Sequence, residues 1–377
     1  MDENDGKLLT EGGYERVSNY RECIEDMLEK LVIDGFVKDP SELNAVGFKT
    51  VLGKGLSGCV AADEKVMDAL EGFKEVAPAH NPAYAEGIRC FQEKLPDLTR
   101  VALFETAFYQ WVNEADANYA IPKAWRSAGI RRYGFHGASH KFVAERSAEL
   151  LNRDDVAAKV RQLYTVGPQP LASDQSPFRV ISCHLGGSSS VTGIENGVAI
   201  GTSMGFSPQS GLPQNNRVGD LDSMAIPYAS KVLGLSIEEA ETQLNKESGL
   251  LGLSGVGNDI RDINKAAQEG NKDANLALDV LTESIRHWAG SFFFKMGGAE
   301  AICFTAGIGE NNPTLRAKVC RNLEGLGVKI DPQKNNALMG DEGIISTDDS
   351  TIKVIVIPAN EELVIAREVY RYVQSHH

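Results

Sequence analysis

Three turns in this sequence gather the residue types that hold phosphate. Ser182-Cys183-His184-Leu185 runs into Gly186-Gly187-Ser188-Ser189-Ser190, Ile302-Cys303-Phe304-Thr305 into Ala306-Gly307-Ile308-Gly309-Glu310-Asn311, and Val354-Ile355-Val356-Ile357 into Pro358-Ala359-Asn360-Glu361-Glu362. Each starts as an apolar, strand-like run, and open α/β sheets bind ligands where their strands end. Glycine lets backbone N–H groups approach a phosphate closely, and serine hydroxyls add donors. One such turn alone is more often a tight structural turn. None carries the lysine of a P-loop or a full G-x-G-x-x-G fingerprint with its following acid. The weight lies in finding several in one chain.

Other residues stand apart by type and context. Arg217, in Asn215-Asn216-Arg217-Val218-Gly219-Asp220, is a candidate anion-binding group. A loop arginine is usually just solvated, but this one has Asn, Gly and Asp around it in an acidic protein. Glu105 follows the apolar run Val101-Ala102-Leu103-Phe104 and reads equally as a helix-start acid or a catalytic carboxylate. His136 and His140, four apart, could share a helix face as metal ligands. There is no H-E-x-x-H pattern and no obvious third ligand, so a packing role is the preferred reading of His140.

The elements that must position these residues alternate short β-rich runs with longer amphipathic stretches, the pattern of an α/β protein. Helices are expected over residues 20–34, 139–151, 275–296 and 361–373, and one from the capping box Ser236-Ile237-Glu238-Glu239. Strands are expected over residues 44–49, 101–104, 178–183, 301–305 and 352–357. Residues 166–177 read as a surface loop. A length of 377 residues suggests about two domains. A net charge of −14 argues against nucleic acid or anionic membranes as partners. Six scattered cysteines without a C-x-x-C pair fit a reducing, cytoplasmic setting. Residues 1–6 are acidic and polar, unlike a signal peptide, and no apolar run approaches the roughly 20 residues that span a bilayer.

Together the motifs resemble the acetate kinase family. The resemblance rests on Arg131-Arg132-Tyr133-Gly134-Phe135-His136-Gly137-Ala138-Ser139-His140, on Thr202-Ser203-Met204-Gly205-Phe206, and on Arg217 with Gly219-Asp220. Phe304 to Asn311 and Ile357-Pro358-Ala359-Asn360-Glu361-Glu362-Leu363 complete it. The five matches occur in the family's order over residues 44 to 370. They imply an α/β, two-domain, actin-like fold of the sugar-kinase and heat-shock-ATPase type with a central cleft. The expected domains are residues 1–120 with 361–377, and 121–360.

The implied activity is reversible phosphoryl transfer between ATP and acetate, giving acetyl phosphate and ADP. By the same likeness, His136, Arg217, Lys49 and Glu105 are catalytic. His184, Gly186, Gly187 and Ser188 line the phosphate path. Asp259, Ile260 and Arg261, with Gly307, Ile308, Gly309, Glu310 and Asn311, hold the nucleotide, and Glu361 helps bind Mg²⁺ or Mn²⁺. The family also implies a homodimer. Two alternatives stay open: a nucleotide-binding remnant with little catalysis, and a kinase for propionate or butyrate.

The sequence departs from the family in three places. It opens past the family's first strand and its Asn-x-Gly-Ser-Ser-x-Lys-like phosphate turn, so the expectation is a first domain lacking that strand, and weak turnover. Lys49 stands where the family has an arginine, which keeps the charge without the bidentate fork. Glu105 replaces an aspartate, and Gly187-Ser188 replaces Asn-Gly, so that an amide is lost.

Overall fold

The structure is a computed structural model that describes residues 19–77 and 80–376. The acidic start, residues 1–6, lies outside the described residues. The chain divides into two compact units, Met1–Ala107 with Asn360–His377, and Phe108–Ala359.

In the first unit the described residues form a three-stranded sheet, ordered β1-β3-β2. β1 (Ala45–Thr50) runs parallel to β3 (Thr99–Phe104), and β2 (Cys59–Ala61) is antiparallel to β3. Strand alternation sorts β1 by face. Val46 and Phe48 pack into a cluster with Leu28 and Phe91 from helices Tyr20–Ile33 and Asn81–Lys94. Phe48 meets Phe91 edge to face at 5.6 Å. Gly47 and Lys49 share the other parity. A Cβ on Gly47 would lie 2.6 Å from Val369 Cγ2 and 2.8 Å from Ile365 Cγ2 of the closing helix Glu361–His376. A glycine is required there for the helix to lie on the strand.

The second unit is built on a six-stranded sheet, ordered β6-β5-β4-β7-β9-β8. Its centre is parallel: β4 (Arg179–Leu185), β7 (Ala301–Thr305) and β9 (Lys353–Val356). β5 (Ser189–Glu195) and β6 (Val198–Thr202) continue antiparallel on one side, and β8 (Gly343–Ile344) closes the other. One face packs against helix Lys272–Met296 through Ile181, Cys183, Leu185, Val191, Ile302, Phe304 and Val354. That helix stops at Gly297, whose φ of +70° suits glycine. The other face packs through Val180, Ile194, Ala301, Cys303 and Ile355 against helices Gly137–Leu150 and Asp154–Arg161.

The expected elements form, with boundaries shifted by at most three residues. Ser236 and Glu239 make the capping box reciprocally. Two details differ from the sequence reading. Residues 306–311, read as a turn, are a short helix, and Ser189 and Ser190, read as part of the phosphate turn, are the first residues of β5. In both cases neighbouring backbone draws turn residues into regular hydrogen bonding: His184 pairs with Ser190, and Leu185 with Ser189. No helix among the described residues is long and apolar enough to cross a membrane. None of the six cysteines is disulfide-bonded.

Candidate functional site

The first unit holds a three-charge cluster. Lys49 lies near the end of β1, and Glu105 follows the end of the adjacent parallel β3, its N–H donating to Thr50 O at 2.8 Å. Glu361 is the first residue of the closing helix, where a carboxylate is favoured by the helix dipole. The Lys49 ammonium pairs with Glu105 at 3.0 Å and also with Glu361. Glu105 Oε2 and Glu361 Oε1 are buried and have no hydrogen-bond partner among the described residues. Burial, and then the nearby Glu105 charge, raises the Glu361 pKa above its usual value. Among the described residues no three His, Cys, Asp or Glu side chains form a metal-holding group. Mg²⁺, however, typically uses one or two carboxylates and takes its remaining oxygens from water and phosphate. Two facing carboxylates with unpaired oxygens fit that requirement.

The second unit holds a polar network at one end of its sheet. Alternation along β4 turns Ser182 and His184 toward helix Gly137–Leu150, and Ser190 of β5 lies beside His184. His140 is fully buried between Ser182 Oγ and Ser190 Oγ, at 2.8 Å from each. Burial, assisted by His184, pushes its pKa well below the usual histidine value, so the ring is neutral. Ser190 Oγ also reaches His136 Nδ1 at 2.8 Å, and His184 Nδ1 reaches Ser139 Oγ at 2.8 Å. The His136 and His184 rings stack with centroids 4.0 Å apart. His136 occupies a left-handed conformation (φ 59°) at the helix start, a placement that costs about 1–3 kcal/mol in a non-glycine residue and clusters at functional sites. His140 therefore packs and orients, as the sequence reading preferred.

Arg217 is partly buried, and burial lowers its pKa. Among the described residues no carboxylate pairs with it; its guanidinium donates to Gln214 Oε1 at 3.3 Å. The same Gln214 oxygen accepts from Ser188 Oγ at 2.8 Å, tying Arg217 to the Gly186-Gly187-Ser188 turn. Backbone bonds fix the arginine's own turn: Gln214 N–H to Arg217 O at 3.0 Å, and Leu250 N–H to Gln214 O at 2.8 Å. A partly desolvated cation with no counter-ion among the described residues, beside a Gly/Ser turn, has the chemistry to receive an anion.

Comparison with known proteins decides the family. The family model described as the Acetokinase family matches residues 5–164 and 168–367.

The chain belongs to the acetokinase family.

It is 43% identical over 357 residues to an acetate kinase of Geobacillus sp. (strain WCH70), covering 94% of this chain and 85% of that protein. It is 41% identical over 357 residues to the acetate kinase of Bacillus subtilis (strain 168), with the same coverage. The Porphyromonas gingivalis acetate kinase structure matches with a TM-score of 0.84 at 34% identity, covering 95% of this chain and 86% of that one. A propionate kinase structure from Francisella tularensis matches with a TM-score of 0.80 at 34% identity, covering 93% and 84%. The fold is thus the two-domain actin-like fold of these phosphotransferases.

The remaining candidate residues of this acetokinase-family chain are spread over the second unit. Residues 306–311 follow β7, whose partner β4 leads into Gly186, and Ala306 has φ 64°. A Cβ on Gly186 would lie 3.6 Å from Ala306 Cβ, so the two turns touch. Gly307 and Asn311 are exposed, whereas Ile308 and Gly309 are buried. Glu310 Oε1 accepts from Ala359 N–H at 2.9 Å, joining the third turn to the second. Asp259 caps helix Ile260–Gln268, and its bonds to Arg261 and to that residue's N–H hold its pKa down at about 2. Arg261 is exposed, and Ile260 belongs to the core.

Sequence reasoning missed the residues that hold the site rather than face it. Gln214 lies outside every motif read from the sequence, and Ser182, Ser139 and Ser190 lie inside such motifs with nothing to mark them as partners of the histidines. Arg316 is fully buried, and its guanidinium donates to Gly309 O at 2.9 Å, Glu310 O at 2.6 Å, Asn335 O and Leu338 O at 2.8 Å, and Asn335 Oδ1 at 2.9 Å. It locks the end of the 306–311 helix to the loop beyond residue 335. No local pattern around Asn312-Pro313-Thr314-Leu315-Arg316 announces that role.

Proposed function

We propose that this chain is an acetate kinase that transfers the γ-phosphoryl group of ATP to acetate, reversibly, giving acetyl phosphate and ADP. The observation that carries the reading is Arg217: a partly buried guanidinium with no carboxylate partner among the described residues, in a protein of net charge −14. Such a cation is stable where an anion visits.

In the forward direction an acetate oxygen forms a bond to the γ-phosphorus, the bond from phosphorus to the bridging ADP oxygen breaks, and ADP leaves with that electron pair. The protein's task is to position and to neutralise charge. Arg217 and His136 are assigned to the transferring oxygens, with His136 held by Ser190. His184 and the Gly186-Gly187-Ser188 turn line the phosphate path. Asp259 to Arg261 and residues 307–311 hold the nucleotide. In the first unit Lys49 supplies positive charge for the acyl phosphate, and Glu105 orders the nucleophile. Glu105 and Glu361 are the groups that would hold Mg²⁺ or Mn²⁺, which when bound neutralises phosphate charge.

The homodimer implied by the family finds support in an apolar patch. Helix Ala225–Leu233 buries none of its residues, and Leu221, Met224, Tyr228, Val232, Leu233 and Ile237 are exposed. Patches of this kind are uncommon on monomers unless functional. Free cysteines and the acidic charge favour a cytoplasmic protein acting on small molecules. The propionate kinase neighbour makes acyl length the open choice. ATP formation from ADP and acetyl, propionyl or butyryl phosphate tests the reading: turnover highest on acetyl phosphate supports it, and no turnover on any of them overturns it.

A further inference from the structure

The sequence shows an amide missing from the phosphate turn, because Gly187 stands where the family has asparagine. The structure holds a carboxamide at that place from another element. A Cβ on Gly187 would lie 3.3 Å from Asn215 Nδ2 and 3.8 Å from Asn215 Cγ. The Asn215 amide group thus lies directly against the position from which a side chain at 187 would start. Its backbone is fixed there: Asn215 N–H donates to Gly187 O at 3.3 Å, and Leu251 N–H donates to Asn215 O at 2.9 Å. The supporting strut needs Gly249, whose φ is +61° and whose Cβ would fall 2.1 Å from Gln214 O and 2.5 Å from Arg217 O.

The backbone of Asn215 is committed, but its side chain is not. Asn215 Oδ1 is buried and has no hydrogen-bond partner among the described residues. A buried amide oxygen left unpaired costs about 1–3 kcal/mol, and such an atom calls for an explanation. Asn215 lies two residues from Arg217, on the turn that Gln214 ties to Ser188. Among the described residues no group pairs with the amide oxygen, and the donor end of the amide, Nδ2, is the atom that lies toward Gly187.

We propose that Asn215 is a phosphoryl-binding residue, and that its carboxamide replaces across the turn the amide absent at Gly187. The inference rests on the acetate kinase reading for the identity of the ligand, a phosphoryl group carried on acetate or nucleotide. The amide donates N–H to a phosphoryl oxygen beside the Arg217 charge. Gly187 and Asn215 are then one functional unit, in which the glycine makes room for the relocated amide.

The test is a swap. Asn215→Gly removes the amide, Gly187→Asn adds one to a site already filled, and the double variant moves the amide to the family's position. Gly187 has no positive φ, so asparagine is sterically allowed there once Asn215 is gone. Removing one preorganised donor costs roughly 10²–10³ in turnover, so Asn215→Gly is expected to lose at least tenfold in kcat/KM for acetyl phosphate. ADP affinity by titration should stay within about twofold, and the double variant should regain most of the loss, the signature of directly coupled residues. Full activity in Asn215→Gly, or a folded double variant no better than that single variant, overturns the proposal. A second readout separates this inference from the acetate kinase reading. Inorganic phosphate at millimolar concentration should raise the melting temperature of the unsubstituted protein, fail to do so in Asn215→Gly, and do so again in the double variant. If no acyl phosphate is turned over, the functional reading fails, while this phosphate pattern still supports the amide and its absence still overturns it.

Discussion

Glu361 ion-pairs with Lys49 across 312 positions of sequence, and Lys49 pairs at the same time with Glu105. The contact exists because Gly47, two residues before Lys49 on the same strand face, lets the closing helix lie directly on β1. One ammonium thus holds two carboxylates that would otherwise repel each other.

Lys49→Met should therefore destabilise the first unit by about 1–3 kcal/mol, less than for a fully buried pair because the lysine side chain is 32% exposed. The pH dependence gives the sign. Glu361 already has a raised pKa, so the folded state binds its proton more tightly than the unfolded state. Its contribution is fully present below the ordinary value of 4.5 and is lost as pH rises through the raised one. Without Lys49 that loss should be larger and extend further up in pH. Melting curves from pH 4 to 8 on both proteins check this, and parallel curves would contradict it. Lys49→Arg should keep both ion pairs and retain acyl-phosphate turnover.

Arg217→Ala should lower turnover by roughly 10³–10⁵, the worth of a charge-stabilising arginine in phosphoryl transfer. Stability should change by no more than about 0.5 kcal/mol, because no ion pair is broken. Steady-state kinetics with a parallel melt would show it; a loss below tenfold in a folded variant would rule out the assigned role.

His140→Gln should make the protein less sensitive to acid. His140 is buried neutral, with its pKa well below the ordinary 6.5. Below that ordinary value the unfolded state binds a proton that the folded state refuses, so stability falls as pH falls through 6.5. Removing the imidazole should flatten the fall between pH 7 and 5 in melting temperature. It should also lower kcat, since Ser190 loses one of the two rings it joins.

Arg316→Met should cost at least about 3 kcal/mol, because five acceptors, three of them fully buried, lose their donor. In the milder Asn335→Ala variant, nucleotide KM should rise while acetate KM stays near its original value. An equal rise in both would show that Arg316 and Asn335 stabilise the unit without positioning residues 306–311.

Tyr228→Glu with Leu233→Glu should yield a monomer by sedimentation velocity if helix Ala225–Leu233 pairs with a second copy. A double variant of unchanged mass would place any dimer contact elsewhere.

Much of the fold was legible because its signals are local. The 25-residue helix Lys272–Met296 shows its apolar stripe and its glycine stop in sequence. The capping box at Ser236 and the strand over residues 301–305 are equally plain. The site's charged and glycine-rich members could also be read, since their types announce chemistry wherever they fall. What determines function beyond that is pairing between distant elements. Strand alternation sets Ser182, His184 and Ser190 on the face toward His136 and His140, but only register makes Ser190 the shared partner of both rings.

The sequence by itself determined an acidic α/β chain with glycine- and polar-rich turns at strand ends, because hydrophobic period, turn chemistry and charge are properties of neighbouring residues. Only the tertiary structure decided which groups stand ready for a ligand. Arg217 has no counter-ion among the described residues, Arg316 is satisfied by carbonyls, Lys49 joins two carboxylates, and the Asn215 amide lies against Gly187. Arg316 and Gly309 are 7 positions apart and Lys49 and Glu361 are 312 apart, and no local pattern encodes these contacts.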